Sequence, residues 1–149
     1  MNTKRMATLF TALLIVTCAT TVFAAPAGRG SGGWGTGSPY QRMYNPATVE
    51  SVSGEVMSVH KMTPRKGMGP GIHLQLKTDQ ETISVHLGPS WYIDRLDARI
   101  EKGDTIEVKG SRVTVAGKPA IIAAEVKKGD AALKLRDDSG IPAWAGWRR

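Results

Sequence analysis

"IHLQLKTDQETISVHL", Ile72 to Leu87, consists of two runs of strict apolar–polar alternation around a polar link, Thr78 to Glu81. Alternation with period two marks a strand with one buried face. Pairing Lys77 with Thr82 sets Leu76 against Ile83, Leu74 against Val85 and Ile72 against Leu87 on that face. The opposite face then carries Gln75 against Ser84 and His73 against His86. A slip of one residue would bury the polar set, so the hydrophobic pattern specifies the register.

The flanks extend this hairpin to a fold. Upstream, "TVESVSGEVMSVHKM" (Thr48 to Met62) is rich in β-branched residues. Val52 and Val56 share one parity, Met57 and Val59 the other, and Gly54 lies in the run. A glycine beside a parity change predicts a bulge or bend, hence a long, curved first strand. Downstream, Ser90 is expected to cap a short helix with the apolar stripe Ile93, Leu96 and Ile100, closed by Lys102 and Gly103. Thr105 to Lys109 alternates again, Gly110 interrupts, and Val113 and Val115 resume on the other parity. Residues 116–119 form a turn, Ala120 to Val126 a mostly apolar strand, and Leu133 and Leu135 a further short extended piece. Strand, strand, strand, helix, strand, strand, with glycine bends in the first and fourth strands, predicts an all-β fold. The expected form is a small five-stranded OB-like barrel with a short helix between strands 3 and 4. An open sheet packed on the helix is the alternative.

The rest of the 149-residue chain is organised around that barrel, expected over residues 47–136. Lys4 and Arg5, an apolar run from Met6 to Val16 and the small-x-small site Val22-Phe23-Ala24 predict a signal peptide over residues 1–24. Its removal takes away Cys18, the only cysteine, so no disulfide, thiolate ligand or CxxCH haem attachment is available. It also lowers the formal charge from +7 to +5, which permits attraction to anions without demanding it. A periplasmic location with no stable membrane span is the expectation. Residues 25–46, rich in glycine and proline, are expected to be a flexible arm, with Trp34, Tyr40 and Tyr44 as its large side chains. Residues 137–149 form a Trp-rich tail in which Trp144 is expected to pack back onto the barrel.

"SVSGEV" at the first strand and "KGDTIEVKGSR" at the fourth resemble the bacterial OB-fold family of small exported, stress-associated proteins, over roughly residues 48–126. The resemblance implies an exported OB barrel and, by fold analogy alone, nucleic-acid binding. The chain is also similar in residue type to periplasmic copper- and silver-binding chaperones, small OB-type barrels that use Met, His and a nearby Trp.

Catalysis is not expected, because the sequence has no Gly-x-Ser-x-Gly elbow, HExxH or P-loop. The candidate ligand surface is the outer face of strands 2 and 3 with the 60–72 loop. Directly opposed strand residues have Cβ atoms about 4.5–5.5 Å apart, so His73 and His86 are close enough to share an ion. His60, Met62 and Met68 lead into His73, and thioether with imidazole suits copper. These five residues are the metal candidates and copper the possible cofactor. Lys61, Arg65, Lys66, Gln75, Lys77 and Trp91 are the anion or ligand candidates on the same surface. Strands 2 and 3 carry no aromatic platform for bases, which counts against nucleic acid. The function expected is therefore a non-enzymatic exported binding module. A copper or silver (or other transition-metal) binding protein, an envelope assembly or stress-associated interaction protein, and nucleic-acid or polyanion binding are the alternatives.

Overall fold

The computed structural model describes residues 32–145; the expected signal peptide, residues 25–31 and Trp147 lie outside the described residues. Six strands follow in chain order: β1 (Val49–Met62), β2 (Gly71–Lys77), β3 (Thr82–Pro89), β4 (Thr105–Val115), β5 (Lys118–Lys128) and β6 (Ala131–Lys134). A single helical turn, α1 (Ser90–Ile93), separates β3 from β4. The sheet order is β3-β2-β1-β4-β5-β6, and β3 also pairs with β5. That last pairing, parallel and confined to Ser84–Ala120, Val85–Ile121 and His86–Ile122, closes five strands into a barrel-like ring. The all-β expectation holds, and β6 adds a short strand to the edge of β5.

The hairpin register is the expected one from Lys77–Thr82 to His73–His86, after which an irregularity sets Ile72 against Gly88 rather than Leu87. Inside the ring Val56, Leu74, Leu76, Ile83, Val85, Ile106, Val108 and Ile121 are buried. This apolar interior holds the ring together without any disulfide.

β1 works by changing partners. Val49 to Glu55 pair with β4, and Glu55 to Met62 pair with β2. The exchange happens at Gly54, where a Cβ would run into the Lys77 carbonyl at the end of β2. The parity change expected there falls three residues later, where Met57 bulges out of the ladder with β2. Gly110 has the matching role in β4: a Cβ would meet the Ile122 carbonyl, and a bulge lies between Lys109 and Gly110.

Two local expectations differ from the structure. The helix after β3 ends at Ile93, with Pro89 rather than Ser90 at its N-cap. The Arg95 and Leu96 N–H groups donate to carbonyls only three residues back, so the turn tightens and stops. Leu96 and Ile100 still pack against the core from this irregular segment. The segment expected as a flexible arm is, from residue 32, packed on the barrel. It contains two 3-10 turns, Gln41–Met43 and Pro46–Thr48, and Trp34, Tyr40 and Tyr44 are buried. Its glycines do not loosen it; Gly33 and Gly37 have positive φ, and they turn the chain so that its few aromatics reach the sheet.

Gly54→Ala is expected to destabilise the protein by about 2 kcal/mol, because backbone rather than a movable side chain fills the space a methyl would need. Denaturant unfolding measures this; an unchanged midpoint would show that β1 can exchange partners without the close approach.

Candidate functional site

The outer face of β1, β2 and β3 carries one row of histidines. His60 pairs in register with His73, and His73 with His86, so three adjacent strands place imidazoles side by side. The sequence predicts the second pair. The first was missed because the bulge at Met57 shifts β1 by one residue and brings His60 into line.

This face is not open, which corrects the expected ligand surface. His73 is 1% and His86 4% exposed. Residues 32–44 and 136–144 cover the face with a second, aromatic layer. Trp34 lies over Gly71 and Trp144 over Gly88, each so close that a Cβ on the glycine would collide with the indole. The two indoles meet edge to face at 6.5 Å, Trp144 Nε1 donates to the Trp34 carbonyl at 2.9 Å, and Trp34 Nε1 donates to the Gly69 carbonyl at 3.0 Å. Tyr40 shares a hydrogen bond of 2.8 Å between its hydroxyl and His86 Nδ1. The layer closes on Arg136, whose guanidinium lies 4.8 Å from the Trp144 ring and whose Nη1 donates to the Leu87 and Ala123 carbonyls.

His73 and His86 are stacked, with ring centroids 3.8 Å apart and planes 8° from parallel. An ion bound to an imidazole nitrogen sits in the ring plane, so two stacked rings do not converge on one ion. The expected sharing of a metal by this pair is therefore not what the geometry offers. Among the described residues, no three His, Cys, Asp or Glu are grouped so as to hold a metal. Both nitrogens of His73 are nevertheless buried and without a hydrogen-bond partner among the described residues. Such a group costs about 1–3 kcal/mol when left unpaired.

The remaining candidates are dispersed. His60 is exposed at the open end of the row, and Met62, 48% exposed, lies two residues further along the same face. Met68 is half-buried and packs on Gly33 in the cover. Lys61 pairs with Asp94 at 3.0 Å on the other side of β1. Arg65 and Lys66 are exposed in the loop before β2, whereas Lys77 is at its far end, about 20 Å away at strand spacing. Gln75 is half-buried between them, and Trp91 meets Tyr92 edge to face at 6.1 Å. These cations form no single anion patch. Tyr40, Trp34 and Arg136 were not singled out as site residues from sequence; the aromatics in the glycine-rich segment and Trp144, expected to pack back onto the barrel, were the signals pointing to the cover.

A model of the MamS/MamX magnetosome protein family matches residues 48–133, more than half of the chain. No curated protein matches it. The match overturns the resemblance to exported stress-associated OB-fold proteins. "SVSGEV" and "KGDTIEVKGSR" encode the glycine bends of β1 and β4, which a ring of this kind needs whatever its family.

The covered face is adjusted for neutral imidazoles. Burial, and then His60, push His73 down to about 4. Burial, then His73 and Arg136, push His86 down to about 3. Burial also lowers Arg136, to about 10. Because both folded pKa values lie below the ordinary 6.5, the unfolded chain takes up protons first as pH falls. Stability is full above about pH 6.5 and declines below it, by about 1.4 kcal/mol per pH unit for each histidine. His73→Phe removes two orphaned polar atoms, so it is expected to keep or gain stability at pH 7 and to show a shallower loss between pH 6.5 and 5. Thermal unfolding in chelator-containing buffer tests this; an equally steep loss in the variant would place the acid sensitivity elsewhere.

Proposed function

We propose, from the premise that the chain belongs to the MamS/MamX magnetosome protein family, that it is a magnetosome-associated, non-enzymatic binding module exported to the periplasm. Its working surface is the second half of β1, and its partner an extended segment of another envelope protein.

The observation that carries this is the one-sided pairing of β1. Beyond the Val56 carbonyl and N–H, which bond to Gly103 and Asp104, the segment Met57 to Met62 has β2 as its only strand partner among the described residues. A strand edge presents a row of N–H and C=O groups to which a further strand can add. Along this edge runs a cleft of about 280 Å³, with Val59, Ile72, Leu87, Ile93, Ile100 and Leu133 among its lining. Met57, Val59 and Met62 are the large apolar side chains exposed on this strand, at 39%, 37% and 48%. Backbone groups for affinity and an apolar trough for alternate side chains are the two requirements for adding a peptide strand. Lys61 and the bulge at Met57 guard the same edge against pairing with copies of itself.

The outer face of β2 and β3 has less support as the ligand surface, because the chain's own aromatic layer occupies it. Polyanion binding has less support because its cations are spread along the length of β2 or tied to Asp94.

Selection of random peptides on the folded protein is the test. The expected winners alternate apolar and polar residues, slow amide exchange across Met57 to Met62, and bind about tenfold or more weakly to Val59→Lys. Winners that protect amides elsewhere, or that bind Val59→Lys unchanged, would overturn the edge as the site.

A further inference from the structure

The other side of the same strand carries a separate feature. His60 and Met62 stand opposite His73 and Gly71 of β2, and His60 also borders the cleft that Val59 and Lys61 line. His73 is buried, yet neither of its ring nitrogens has a partner among the described residues. In the cover, His86 is bonded to Tyr40, Trp34 to Gly69 and Trp144 to Trp34, and Arg136, which also has buried unpartnered nitrogens, is a cation and no metal ligand. The one neighbour of His73 in the row that reaches solvent is His60.

We propose that His60, His73 and Met62 form a binding site for one soft transition-metal ion of copper(I) character. The set comprises two imidazoles from directly opposed strand positions and a thioether two residues along the same face, which is a donor set for a soft ion. A bare ion is smaller than water, so it can reach a nitrogen that water does not, carried in by the exposed His60 and Met62 side chains. Binding supplies the missing partner of His73. His86 does not coordinate; its stack on His73 and its bond to Tyr40 fix the plane in which the His73 ring lies, which makes both positioning residues. The site does not depend on the peptide edge, and either can fail alone.

Copper(I) is titrated into the folded protein under anaerobic conditions against a chromophoric chelator, with zinc(II) in parallel. The expected result is one copper(I) per chain with Kd below about 1 µM. Copper is expected to shift the His73 ring nitrogens in NMR spectra and to show a sulfur neighbour in X-ray absorption. His60→Ala, at an exposed position that leaves the fold intact by thermal unfolding, is expected to weaken binding about a hundredfold. Met62→Leu is expected to lose the sulfur neighbour and weaken copper(I) about tenfold, with little effect on zinc(II). Absence of binding below about 1 µM, parental affinity in His60→Ala, or a retained sulfur signal in Met62→Leu would each overturn the assignment.

Discussion

The structure depends on β1 being longer than either strand it pairs with. Its 14 residues span the ring, the first half bonded to β4 and the second to β2. A strand that serves two neighbours in succession has to bend between them, and at the bend its backbone comes close to the end of β2. Gly54 permits that approach. Because β4 leaves at Glu55, the remaining residues of β1 have a free edge, and the loop after α1 crosses opposite it to make a cleft. Ring closure and the open edge are thus two results of one constraint.

A second constraint is that this small barrel has polar side chains on one outer face and still buries them. The N- and C-terminal segments do this together, with the contact between Trp34 and Trp144 spanning 110 residues of sequence. Gly71 and Gly88 form the seats: without a Cβ, they let two indoles lie directly on the strands. Packing of that kind suits a chain without disulfides, since large rings bury much area per residue. Its cost is polar. Arg136 is buried with only Nη1 hydrogen-bonded among the described residues, and His73 is buried with neither nitrogen bonded.

Strand positions and hairpin register were legible because period two, β-branched composition and glycine breaks are local signals. Leu74 against Val85 and His73 against His86 follow from alternation alone. The cover was not legible for the same reason. Alternation marks the His73 face as polar, and a polar strand face is ordinarily a wet one. Nothing local to His73 or His86 tells that Trp34 and Trp144, from opposite ends of the sequence, will dry it. The glycine-rich composition around Trp34 argued for a tether, since few of its residues can be buried; three rings on the right turns proved sufficient. His60 joined the row only through the bulge at Met57, a one-residue event that parity hinted at but placed at Gly54.

The two surfaces proposed share one piece of backbone. Val59 and Lys61 line the cleft, His60 and Met62 stand in register with His73 and Gly71, and His60 borders both surfaces. A peptide strand paired to the free edge would hold this segment in the sheet, and a metal bound by His60 and Met62 would hold the same residues from the other side. Each event orders atoms that the other also needs ordered, which makes favourable coupling the expected sign, and linkage makes any such coupling reciprocal. The pairing of Lys61 with Asp94 acts on the same segment, but both side chains are exposed, and an exposed pair contributes about 1 kcal/mol or less. That is too little to fix the segment by itself. The ladder with β2 is what holds the segment, and a peptide on one side and a metal on the other would each add to that ladder rather than replace it.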